Sequence, residues 1–167
     1  ILKKFPNDYL LNNLGGVVSV QLQLNDQAFK FFKRAISNNP MASEPHVNMG
    51  YLLLNNDNPD EALRAFNLAE ELSEENIEAK IGKSLALNKI GQLQKAVDIL
   101  VDAGKRAPGN PRIFYSLGNI YQTLGHFDEA RAAFERSLKL DPNFFAAANN
   151  LGLLFFEKDD FHAAAHN

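Results

Sequence analysis

Apolar residues in this chain recur at steps of three and four, which puts one hydrophobic stripe on each of a series of short helices. The clearest stretch carries Phe114, Leu117, Gly118 and Tyr121 on one helical face, followed by Gly125, Ala130, Phe134 and Pro142. The same arrangement returns every 34 residues: Ala28, Ala62, Ala96 and Ala130 keep that interval, Phe32, Phe66, Leu100 and Phe134 follow each by four, and Pro40, Pro108 and Pro142 keep the beat. A period of this length predicts stacked helix-turn-helix units, because one hairpin cannot bury its own stripe and must lean on the next. Small residues at Gly118 and Ala130 let two helices approach closely. Gly91 and Gly125 can take the left-handed conformation that ends a first helix, and Pro59 suits the first turn of a second. Asp60 with Glu61, and Asp128 with Glu129, place negative charge near the N-terminal end of the second helices, a structural use of acids that argues against catalysis.

Units in a common register begin at Tyr9, Ser43, Ile77, Pro111 and Phe145. The predicted division is residues 1–8 as the close of a preceding repeat, with Pro6 one period before Pro40, then repeats at 9–42, 43–76, 77–110 and 111–144, and an incomplete fifth at 145–167. A segment of a longer protein is the economical expectation. In the first unit, Gly15 and Gly16 sit together, and the run Asn12-Asn13-Leu14-Gly15 resembles Asn149-Asn150-Leu151-Gly152. Either the regular register or a one-residue slide, compensated by a longer turn near residues 24–26, accommodates that pair.

Aromatic, Leu-Gly, Tyr, Ala, Phe, Ala and Pro in this order resemble the tetratricopeptide repeat family. The second unit shows Met49, Gly50, Leu53, Ala62, Phe66 and Ala69, the third Gly91, Ala96, Leu100, Ala103 and Pro108, and the fifth Leu151, Gly152, Phe155 and Ala164. The resemblance implies an all-α fold, an α-solenoid of tandem hairpins forming a right-handed superhelix. It also implies a binding groove on the concave side, lined by first-helix positions one, four, five, eight, eleven and twelve residues after each repeat start. Those positions hold Glu44, Val47, Asn48, Tyr51, Leu54 and Asn55 in the second repeat, and Glu78, Ile81, Leu85, Asn88 and Lys89 in the third. They hold Arg112, Tyr115, Asn119, Gln122 and Thr123 in the fourth, and Asn149, Asn150, Leu153, Phe156 and Glu157 in the fifth. Asn13 faces the groove in either register of the first.

Amides alternating with apolar residues suit an extended or helical peptide, since an asparagine side chain both donates and accepts. The implied function is a protein-protein interaction scaffold or adapter, with a lean to bacterial pilus and secretion assembly. One alternative is the substrate-recruiting arm of a larger enzyme such as a glycosyltransferase or methyltransferase. Another is self-association into a homo-oligomer through the open ends of the solenoid, for example by the helix at residues 161–166. Asn119 and Asn150 also match two asparagines of the carboxylate-clamp members that grip chaperone tails, but Tyr115 stands where that clamp needs a lysine.

Composition narrows the rest. The 167 residues are 46% hydrophobic, enough for a sizeable core, and a formal charge of −3 gives no electrostatic reason to expect nucleic acid. The cluster Lys30, Lys33 and Arg34 reads as a solvated helix face. With no cysteine there is no disulfide or thiolate metal site, which fits the cytosol and the bacterial periplasm equally. The chain carries no phosphate loop, zinc-protease pair or nucleophile elbow, so no catalytic residue, cofactor or metal is expected, and no membrane insertion of this segment. His162 and His166 are too few for a specific metal site. His46, in the place of the first-helix aromatic, and His126, in a turn, read as packing or surface residues.

Overall fold

The computed structural model describes the backbone of residues 7–165 and the side chains of residues 7–155. Among these residues there are nine α-helices and no strand: α1 Tyr9–Gln21, α2 Asn25–Asn38, α3 Ser43–Asn55, α4 Pro59–Leu72, α5 Ile77–Lys89, α6 Leu93–Arg106, α7 Pro111–Thr123, α8 Phe127–Leu140 and α9 Phe145–Ala165. Odd-numbered helices are the first of each sequence repeat and even-numbered ones the second. The fold is an all-α solenoid of repeated hairpins.

Local chemistry sets the helix ends. Asp8, Asn76 and Asn110 cap three first helices, their side-chain oxygens accepting from Leu11, Ala79 and Arg112 N–H groups at 2.9–3.0 Å. Each first helix from α1 to α7 then stops at a residue in the left-handed region, Gln23, Asp57, Gly91 and Gly125, with φ of 59°, 57°, 79° and 75°. That conformation lets the next N–H reach back to a carbonyl five residues earlier, from Leu24 to Ser19, Asn58 to Leu53 and His126 to Tyr121, at 2.8–2.9 Å. Pro59 opens α4, and Asp60 and Glu61 lie in its first turn; Asp128 and Glu129 do the same in α8.

The helices group into two compact units, α1–α5 and α6–α9. In the first unit, Phe32 of α2 packs with Ala28, Met49 and Leu52, and Phe66 of α4 with Val47, Ala62, Ala69, Ala79 and Ala86. In the second, Phe134 of α8 packs with Ala130, Ala147 and Leu154. Each of these phenylalanines is at most 1% exposed, and burying one stabilises by roughly 1.5–3 kcal/mol. The rings rest on the glycine of the preceding first helix, Gly16, Gly50 and Gly118; a Cβ on Gly50 would lie 2.7 Å from the Phe66 ring. Gly82 of α5 presses on the same Phe66 ring.

Gly16 thus occupies the same place as Gly50 and Gly118, while Gly15 meets Phe31. The turn at residues 22–24 has the same three-residue length as those at 56–58, 90–92 and 124–126. The first hairpin therefore keeps the regular register, and the one-residue slide does not occur.

One buried charge cluster joins α4 to α5. Lys80, 5% exposed, and Lys83 each place an ammonium 2.7 Å from a Glu70 carboxylate oxygen. Burial pushes the Glu70 carboxyl up, but the hydrogen bonds and charges of the two lysines outweigh it and hold it below its ordinary value.

Candidate functional site

First helices carry the expected groove residues, and the two units are described in turn. In the first unit, Asn48 donates from Nδ2 to Oδ1 of Asn13 at 2.9 Å, a bond between consecutive repeats. Tyr51 stacks edge-on against Phe66, with ring centroids 5.2 Å apart at 75°, and its hydroxyl donates across to the Glu78 carbonyl and carboxylate at 3.3 and 3.4 Å. Tyr51 and Leu54 both pack on the cluster around Phe66, so each is half-buried. Asn55 is exposed, Leu85 and Asn88 are half-buried on α5, and Lys89 reaches Asp57 at 3.5 Å on the surface.

Val47 and Ile81 correct the sequence expectation. They are 6% and 1% exposed, inside the helix-helix core and out of a partner's reach. Their place in the register, four residues after the repeat start, lies at the edge of the core. Aliphatic side chains there turn inward, whereas the amides Asn13 and Asn149 at the same place remain accessible, half-buried and exposed respectively.

In the second unit, Asn150 donates from Nδ2 to Oδ1 of Asn119 at 2.7 Å, repeating the amide pair. Tyr115 lies between Phe134 and Phe144, with centroids at 6.1 and 5.0 Å. Thr123 ties back to the Asn119 carbonyl at 2.9 Å. Arg112, Asn149 and Leu153 are exposed, Leu153 by 50%, and Gln122 is half-buried. Phe156 and Glu157, like His162 and His166, lie outside the described side chains.

Both amide pairs are preorganised polar groups between repeats. An amide has two donor hydrogens and two acceptor lone pairs, so each pair, after its mutual bond, still offers both donors and acceptors. All four asparagines are half-buried, which leaves these groups within reach of a ligand. The pairing itself had no sequence signal, because the partners stand 35 and 31 residues apart and no single interval predicts them.

The other singled-out residues fall as follows. His46 is 8% exposed; burial lowers its pKa from the ordinary value, opposed by a hydrogen bond to the Pro40 carbonyl. His126 stacks on Tyr121 with centroids 6.3 Å apart. Lys33 holds its ammonium 4.9 Å from the centre of the Phe29 ring. Among the described residues no group of three or more metal-ligating side chains comes together, and no helix is long and apolar enough to cross a membrane.

Hairpins of equal length, joined at a left-handed residue and locked by phenylalanine on glycine at a fixed interval, define a helical-repeat scaffold for protein-protein interaction. The chain belongs to the tetratricopeptide repeat family: family models of that repeat match residues 47–111 and 111–144. Protein CTR9 homolog of Arabidopsis thaliana is similar, at 30% identity over 115 residues, covering 68% of this chain and 10% of that protein. A probable UDP-N-acetylglucosamine–peptide N-acetylglucosaminyltransferase, SPINDLY, of Hordeum vulgare is 30% identical over 94 residues, covering 56% of this chain and 10% of that protein. The chain thus spans about a tenth of the length of these two relatives. Among solved structures, the thermophilic tetratricopeptide protein TTC0263 of Thermus thermophilus superposes with a TM-score of 0.82 at 21% identity, covering 90% of this chain and 82% of that one.

Proposed function

We propose that the first-helix face of each unit binds a peptide segment of a partner protein, the amide pair of that unit bonding its backbone, with Leu54 and Leu85 receiving apolar side chains in the first unit and Leu153 in the second. The observation that carries this reading is the repetition of the pair, Asn13 with Asn48 and Asn119 with Asn150, at the groove positions of both units. A backbone has a donor and an acceptor at every non-proline residue, so groups of this kind read main chain and tolerate many sequences. Tyr51 and Tyr115 serve chiefly as stitching between helices, since each already packs on a core phenylalanine. An assembly role, as in bacterial pilus or secretion systems, would use the face in this way.

The test is selection of peptides from a displayed random library against the chain, followed by titration of each selected peptide against an Asn48→Ala, Asn119→Ala variant. Loss of two hydrogen bonds should weaken binding by about tenfold or more. Peptides that bind the variant as tightly as the parent would remove this face as the site.

A second reading is favoured by the similarity to SPINDLY: the array would recruit substrate for a catalytic domain in the same polypeptide. Sequencing of the coding region on both sides of this segment decides it, because an adjoining glycosyltransferase domain is required. An open reading frame without one would discard the idea.

A further inference from the structure

A second accessible surface of the first unit lies along two second helices, α2 and α4. Between α2 and α4, with α3 as its floor, the structure forms an open trough of about 760 Å³. Phe29 and Ile36 line one wall, Leu68 the other, and His46, Met49 and Leu53 the floor. A volume of this size holds several apolar side chains.

Two substitutions separate this trough from the same place in a later repeat, His46 for Phe114 and Leu68 for Arg136. His46 stands where Phe114 stands 68 residues later, and in that later unit the Arg136 guanidinium covers the Phe114 ring at 5.5 Å from its centre. The imidazole is smaller than that ring. Leu68 is left 47% exposed at the edge.

Charge around the trough is unbalanced. Lys33, Arg34 and Arg64 line it against a single carboxylate, Glu61, although the chain as a whole is net negative at −3. None of the three cations has an ion pair among the described residues. The Lys33 ammonium, held over the Phe29 ring, keeps positive charge directly at the apolar wall.

We propose that this α2–α4 trough is a second docking face, which takes an acidic amphipathic segment of a partner protein. Apolar side chains of the segment fill the space between Phe29, Met49 and Leu68, and its flanking carboxylates meet Lys33, Arg34 and Arg64. None of these residues holds a predicted groove position, so the trough works whether or not the first-helix positions bind peptide.

The experiment titrates the chain with a fluorescein-labelled amphipathic helical peptide carrying leucines on one face and glutamates beside them, read by anisotropy. Expected results are saturable binding that weakens with added salt, no binding of the same peptide with lysines for glutamates, and at least tenfold weaker binding to Lys33→Glu, Arg64→Glu. Leu68→Gln, a change at a half-exposed position that leaves the core intact, should also weaken binding severalfold. Equal binding to the parent and both variants would overturn the proposal, as would loss of binding only in Asn48→Ala, Asn119→Ala. Sedimentation that shows a dimer broken by the charge reversal would overturn it in favour of a second copy as occupant. Binding to phosphatidylserine vesicles with none to the peptide would overturn it in favour of a lipid surface.

Discussion

Gln23 offers a direct measurement of backbone strain in this array. It adopts φ of 59° at a place where Gly91 and Gly125 adopt 79° and 75°, and a non-glycine residue in that conformation costs roughly 1–2 kcal/mol. Gln23→Gly removes the cost but loosens the unfolded chain, which takes back about 0.4–1 kcal/mol. The net expectation is a stabilisation of about 0.5–1 kcal/mol. With a urea slope of about 2 kcal/mol/M, the unfolding midpoint should rise by about 0.3–0.5 M. Gln23→Ala is the control, because it removes the exposed side chain and keeps the strain; its midpoint should stay with the parent. Gly91→Ala runs the argument backwards: a Cβ there has no atom within 4 Å, so any loss is backbone strain alone, again about 0.5–1 kcal/mol. A Gln23→Gly protein no more stable than Gln23→Ala would refute the reasoning and show that the turn tolerates a side chain at no cost.

Four further outcomes are expected. Gly118→Ala drives a methyl into the Phe134 ring and should destabilise by about 1–3 kcal/mol in thermal unfolding, whereas Gly109→Ala, with nothing within 4 Å, should change little. Tyr51→Phe keeps the ring contact with Phe66 but loses the hydroxyl bonds to Glu78, so chemical denaturation should show a loss of about 0.5–1.5 kcal/mol. Because the lysines hold Glu70 below its ordinary 4.5 despite burial, its contribution is complete above that pH and fades as pH falls through the depressed value; parent and Glu70→Gln denaturation midpoints should differ at neutral pH and converge in acid. Burial likewise keeps His46 below 6.5, so the unfolded chain takes up its proton first and stability falls as pH drops below 6.5; His46→Phe should remove that slope.

Helix boundaries were legible because they depend on local chemistry and a short interval. Pro59, the acidic pairs and the glycines at Gly91 and Gly125 act within one turn of their own helix, and the 34-residue spacing aligned them. Gly15 and Gly16 were ambiguous in sequence, since either could be the small residue; the choice depends on which one meets Phe32, a contact 16 residues away. The placement of the singled-out residues on first helices was legible, but their burial was not. Val47 and Ile81 share a register position with Asn13 and Tyr115, and only packing in three dimensions separates the buried pair from the half-buried one. The trough over His46 was invisible for a similar reason: three helices define it, and the cluster of Lys33 and Arg34 looked like solvated surface until Arg64 and Leu68 were brought beside it.

The Phe66 ring touches two glycines, Gly50 in its own hairpin and Gly82 at the start of the next. Where α5 has Gly82, the other first helices have Leu14, Asn48, Ser116 and Asn150. These units are therefore not interchangeable cassettes. Duplication, deletion or grafting of whole 34-residue blocks would place a side chain against Phe66, or leave Gly82 facing a void, unless the second and third units travelled together. Designers who shorten or lengthen this array should cut elsewhere, and recombination in the gene would meet the same constraint at this junction.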